Sequence, residues 1–188
     1  MEEDPQGVSY VLRYYPACGE LEDVTQEYWN QQVLYDFVES FSEATILGRA
    51  PDSTPPGDLA FPSDVVDRPG SCRVWQGFFV LAGAELEYSI EVPDGMSSTL
   101  YFEVALPMEE SDGATIEVVL VDQGVEQTLV SATVRPLQPW RPISVDMTSL
   151  GGKAVVVSFR VHPGPSGDST ADWVAWRKVR MLLFEAPP

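Results

Sequence analysis

The stretch from Trp140 to Trp176, W-R-P-I-S-V-D-M-T-S-L-G-G-K-A-V-V-V-S-F-R-V-H-P-G-P-S-G-D-S-T-A-D-W-V-A-W, decides how the whole chain is read. It predicts an anchored turn as far as Lys153, a buried strand over A-V-V-V-S-F-R-V, a Gly/Pro/Ser/Asp loop and an aromatic-rich return strand. Asp146 can accept hydrogen bonds from the backbone of the turn that follows it, Gly151 and Gly152 allow the positive φ such a turn needs, and Leu150 then plugs the core. Trp140 and Trp176 are expected to pack where strands end, and Asp172 to accept hydrogen bonds at the end of the loop. In D-W-V-A-W, Trp173 falls on the opposite face of a strand from Val174 and Trp176, so an inward Trp176 implies an outward Trp173.

Upstream of this stretch the pattern has a period of two. Val74–Leu81 reads as a buried strand, and Glu85–Val92 alternates Leu86, Tyr88, Ile90 and Val92 with polar neighbours. After the P-D-G turn at 93–95, Leu100, Phe102, Val104 and Leu106 form the next strand. The turns E-E-S-D-G (109–113) and D-Q-G (122–124) bracket Ile116–Leu120 and lead into Gln127–Val134. Strands at roughly ten-residue spacing with no helical crossover between them describe an all-β, two-sheet antiparallel sandwich and exclude a parallel α/β sheet. No repeat of fixed period points to a propeller or solenoid.

The first third of the chain is less regular. Val8–Tyr15 suits a strand or an extended arm. Trp29, Val33, Phe37 and Phe41 recur every four residues, which predicts a short helix, while Tyr35–Val38 reads equally as extended chain. Gly48–Gly70, with five prolines and three glycines, reads as a loop wrapped over the surface. These features divide the chain into an N-terminal arm, residues 1–30, packed on a sandwich domain of residues 31–188.

A chain of 188 residues with 44% hydrophobic content is long enough to bury a core of its own. Its formal charge of −18 repels phosphates, which argues against nucleic acid and anionic lipid as partners. No apolar run is long enough to span a membrane. The opening M-E-E-D-P-Q-G lacks the basic and apolar regions of a secretory signal, so either the protein is cytosolic or a targeting segment has been cut away ahead of Met1. Cys18 and Cys72 are too far apart for a C-x-x-C motif, and with one histidine a zinc site is not expected. Paired as a disulfide, they would staple the arm to the domain with about 4 kcal/mol of loop-closure stabilisation; two buried thiols are the alternative.

The succession P-D-G, L-Y-F-E-V-A-L-P, D-G before I-E-V-V-L, W-R-P-I-S-V-D-M-T-S-L-G-G-K-A-V-V-V-S-F-R-V and D-W-V-A-W resembles galactose-binding-domain-like jelly rolls over roughly residues 72–185. Y-D-F-V, with Ala44 following, places the first strand of that pattern near Tyr35. The resemblance implies a jelly-roll sandwich and a non-catalytic recognition module for carbohydrate, within a larger secreted or membrane-anchored protein. The alternative is a structural or assembly domain that contacts protein and takes no small ligand. It also implies a structural Ca²⁺ near the strand ends, for which Glu109, Glu110 and Asp112 in one turn, Asp64 and Asp67 in the long loop, and Asp168 offer hard oxygen ligands.

The residues themselves give little catalytic chemistry. His162, Ser166 and Asp168 are neighbours along one loop without a G-x-S-x-G elbow, which is no basis for a triad, and no pair of carboxylates stands out for glycoside hydrolysis. A sugar ligand needs an exposed ring for its apolar face and planar polar groups for its hydroxyls. Trp173 fits the first role, with Trp75, Arg141 and His162 completing the expected surface. Arg177, Lys178 and Arg180 form a basic cluster that either neutralises acids within the sheet or docks an acidic partner.

Overall fold

The computed structural model describes residues 32–48, 59–66 and 74–184. The expected arm, the strand at Val8–Tyr15, Asp67 and the Cys18–Cys72 pairing lie outside these residues. The strands are β1 (Gln32–Asp36), β2 (Thr45–Gly48), β3 (Ala60–Val66), β4 (Val74–Leu81), β5 (Ala84–Glu91), β6 (Ser97–Ala105), β7 (Ala114–Asp122), β8 (Val125–Val134), β9 (Arg141–Asp146), β10 (Ala154–Pro163) and β11 (Trp173–Phe184). One sheet runs β3-β4-β11-β6-β9, with β1 added to β11 beyond the end of β4; the other runs β2-β5-β10-β7-β8. Every pairing within them is antiparallel. The helical content among the described residues is two 3₁₀ turns, Phe41–Glu43 and Thr148–Leu150. No helix among the described residues is long and apolar enough to cross a membrane.

Alternation puts large side chains from both sheets into one core. Phe78, Phe102 and Trp176 enter from the β4/β6/β11 sheet, Leu86, Tyr88 and Phe159 from the other, all essentially inaccessible. Phe159 meets Trp176 edge-on at 5.4 Å, and Phe37 stands edge-on to both Tyr88 (5.0 Å) and Phe159 (5.3 Å). The buried Tyr88 hydroxyl donates to the Phe37 carbonyl at 3.0 Å, so the polar tip of a core ring is satisfied by the turn after β1.

Four sequence expectations change. The four-residue recurrence around Phe37 is not a helix: Gln32–Asp36 pairs with β11, and Phe41 reaches the core only after a turn, where it packs on Phe78 at 5.8 Å. Backbone pairing to an available strand outweighs a short periodic pattern. Ala60–Val66 is a strand rather than loop; Pro62 sits within it because an edge strand needs no N–H on its outer side. Arg141–Asp146, expected as part of a turn, pairs with β6 and carries Pro142 on another edge. The turn itself begins at Asp146, which accepts the Thr148 N–H at 2.9 Å, while Leu150 is buried beneath it. Gly152 takes the positive φ there, but Gly151 has φ −48° and does not.

Candidate functional site on the outer face of one sheet

The solvent side of the β4/β11/β6 sheet gathers aromatic and charged groups around an irregularity in β11. Arg177 pairs with Glu103 and Arg180 with Tyr101, so Lys178 and Val179 together oppose Phe102. This is a β-bulge, and Lys178 adopts φ +51°, a conformation costly for a residue with a Cβ. Its effect is that consecutive side chains Arg177 and Lys178 both act on the outer face, while Val179 points into the core. Backbone strain of this kind often accompanies functional sites.

Both cations converge on one carboxylate. Arg177 Nε donates to Glu103 Oε2 at 2.7 Å, Lys178 Nζ to Oε1 at 3.0 Å, and the Tyr101 hydroxyl to Oε1 at 2.7 Å. Burial works against ionisation of Glu103, but the bonds from Tyr101, Lys178 and Arg177 and the charge of Arg177 outweigh it and hold the carboxyl below its ordinary value. The Tyr101 phenol is pushed up, by burial first and then by Glu103. A carboxylate so committed is a fixed acceptor and a poor general acid or base at neutral pH.

Two indoles flank the ion cluster. Lys178 Nζ lies 4.1 Å from the Trp75 ring centroid, and the Arg177 guanidinium lies 4.2 Å from that of Trp140 and 5.3 Å from that of Trp75. Each cation holds one face of an indole by cation–π attraction, which fixes the ring's orientation. Trp75 and Trp140 are half-buried, whereas Arg177 and Glu103 beneath them are nearly closed off. Gly77, opposite Arg177, leaves no side chain there; a Cβ would collide with the Trp176 carbonyl oxygen. Rigid rings beside donors and an ionised acceptor can together hold a flat, hydroxyl-rich ligand.

A second aromatic group lies further along the same face. Phe61 stacks on Phe79 at 5.3 Å and tilts against Trp173 at 5.3 Å. Trp176 does point inward and Trp173 outward, although Phe61 leaves Trp173 only half-exposed. Trp173 pairs with Leu81, six residues along β4 from Trp75, or about 20 Å.

The other expected site residues are dispersed. Arg141 is exposed and shares the strand parity of Ile143 and Val145, which pack on the core, so it does not join Trp75. His162 lies on β10 in the opposite sheet, with Nε2 3.1 Å from Glu117 Oε2. Ser166 and Asp168 serve their own loop: Ser166 Oγ accepts the Asp168 N–H, and Asp168 accepts from the Thr170 N–H and hydroxyl, bonds that lower its carboxyl. Glu109 and Glu110 are exposed, and Asp112 accepts the Ser166 N–H at 2.9 Å. Asp64 is an exposed residue of β3. Among the described residues, no three His, Cys, Asp or Glu side chains gather to hold a metal ion. Asp172 is fully buried at the loop end, accepting from Ser111 Oγ and the Gly164 N–H, as the sequence suggested.

Glu103, Tyr101 and Trp140 as partners of Arg177 and Lys178 escape a period-two reading, which assigns adjacent residues to opposite faces. The available signal is the break in W-V-A-W-R-K-V-R, where two adjacent cations interrupt an alternating strand.

No known family profile matches the sequence. It is 30% identical over 116 residues to an uncharacterized protein of Archaeoglobus fulgidus, a match covering 59% of this chain but only 27% of that protein. Among solved structures it is similar to TmCBM61, determined in complex with β-1,4-galactotriose, with a TM-score of 0.53 and 16% identity over 82% of this chain and 99% of that one. It is also similar to an exo-β-agarase, with a TM-score of 0.54 and 13% identity over 83% of this chain and 26% of that one. At such identities the likeness concerns architecture, and the chain has a galactose-binding-like jelly-roll fold.

Proposed function

We propose that this domain is a non-catalytic carbohydrate-binding module that takes its ligand on the outer face of the β4/β11/β6 sheet. The observation that carries this reading is the convergence of Trp75, Trp140, Tyr101, Arg177, Lys178 and Glu103 on that face. Rings immobilised by cations lose little conformational entropy when a sugar stacks on them, and the charged groups beside them suit hydroxyl recognition. The likeness in fold to a module crystallised with β-1,4-galactotriose supports the same ligand class. A module of this kind acts as an extracytoplasmic part of a larger secreted or membrane-anchored protein.

A glycan array with and without Ca²⁺ tests the proposal, using the parent chain, Trp75→Ala and Trp173→Ala. The expected outcome is binding by the parent that falls at least tenfold in Trp75→Ala with melting unchanged. Loss in Trp173→Ala alone would move the site to the Phe61/Phe79/Trp173 group. No binding in any condition would overturn the reading in favour of a structural or assembly domain.

A further inference from the structure

The edges of the two sheets are treated very differently. β3 carries Pro62 and Asp64, β9 carries Pro142 and Asp146, β1 is five residues long and β2 only four. Proline, charge and shortness are the usual devices that stop an edge strand from pairing with another chain. β8 has neither the proline nor the shortness, and carries one charge. It runs ten residues, V-E-Q-T-L-V-S-A-T-V, without Pro or Lys, and among the described residues its only neighbour is β7. Its first four residues and Ser131 and Thr133 are exposed, Val125 to 70%. Glu126 is its single ionisable residue, and both of its oxygens are held by Arg160, at 2.9 and 3.0 Å.

We propose that β8 is the strand through which two copies of this chain pair, antiparallel about a two-fold axis between Leu129 and Val130. The register follows from an irregularity in β8: Val118 pairs with Val130 and Val119 with Thr128, so Leu129 is passed over and the facing of the strand reverses there. Val130, Ala132 and Val134 share the core side with Gln127 and Val125; Ser131 and Thr133 share the solvent side with Thr128 and Glu126. Two-fold pairing sets Val125 opposite Val134, Glu126 opposite Thr133, Gln127 opposite Ala132 and Thr128 opposite Ser131. Each pair then joins residues of the same face, which a ten-residue strand of unbroken alternation could not achieve in this register. In an acidic chain this edge brings no acid opposite another acid, and the two five-stranded sheets become one of ten. The pairing is independent of the carbohydrate reading, since it uses the opposite sheet.

Sedimentation velocity of the full chain over a concentration series, with two double variants, tests this. The parent should show a concentration-dependent monomer–dimer equilibrium. Thr128→Lys with Ser131→Lys sets lysines directly opposite one another across the axis, and Thr128→Glu with Ser131→Glu does the same with acids; each variant should be monomeric, with parental melting. Mixing the two variants sets Lys opposite Glu and should restore a dimer. A parent that is monomeric up to millimolar concentration, variants that dimerise as the parent does, or a mixture that stays monomeric would each overturn the proposal.

Discussion

Glu103 compensates two cations at once, and most of the order on the outer face of its sheet passes through it. Its side chain and that of Arg177 are 9% and 7% accessible, so removing the charge leaves Arg177 and Lys178 with a neutral neighbour in a largely dry setting. Glu103→Gln should cost about 3 kcal/mol of folding stability. The loss should depend on pH in a definite sense. Because the folded carboxyl sits below its unfolded value, ordinarily about 4.3, its contribution is complete above that value and is lost as pH falls through the folded one. Urea unfolding of parent and variant should therefore differ fully at pH 7 and converge below about pH 4. A gap independent of pH would mean that the variant acts through packing alone.

β11 shows what a strand gains by departing from regularity. Over Trp173–Arg177 it pairs with β4, over Arg180–Leu183 with β1, and the bulge between them separates the two partners. β1 is fastened by Arg180, whose Nε donates to Asp36 at 2.6 Å, and by Phe37, which is wedged between the sheets. Phe37→Ala should cost about 4 kcal/mol and speed amide hydrogen exchange across Gln32–Asp36 more than across β10. Equal acceleration everywhere would show that β1 opens only with the whole domain. The central strands were legible because Leu86/Tyr88/Ile90 and Leu100/Phe102/Val104 alternate without interruption. β1, β3 and β9 were harder, since short edge strands tolerate proline and rely on a partner distant in sequence for their pairing. The cluster at Glu103 was harder still: its members come from β4, β6, β11 and Trp140, and only tertiary pairing unites them. Arg177, Lys178 and Arg180 do neutralise acids within the sheet, as their sequence context allowed.

At the scale of the molecule, 29 acidic residues against 11 basic ones leave a surface that repels itself. Ion pairs such as Lys153–Asp122 and Arg160–Glu126 are partly exposed and individually weak. Raising ionic strength from about 0.01 to 0.15 M shortens the screening length from about 30 to 8 Å and should raise the melting temperature by about 3 °C. A fall on adding salt would show that exposed pairs outweigh the repulsion. The order of strands bears on synthesis as well. β11, the last of the described strands, lies between β4 and β6, and its Asp36↔Arg180 pairing closes a separation of 144 residues. On a ribosome, β3–β4 and β6–β9 would emerge as separate ribbons whose inner edges stay bare until Phe184 clears the exit tunnel. From the emergence of Leu81 to that of Phe184 the nascent chain is thus open to mispairing at those edges, a window the native contacts cannot yet protect.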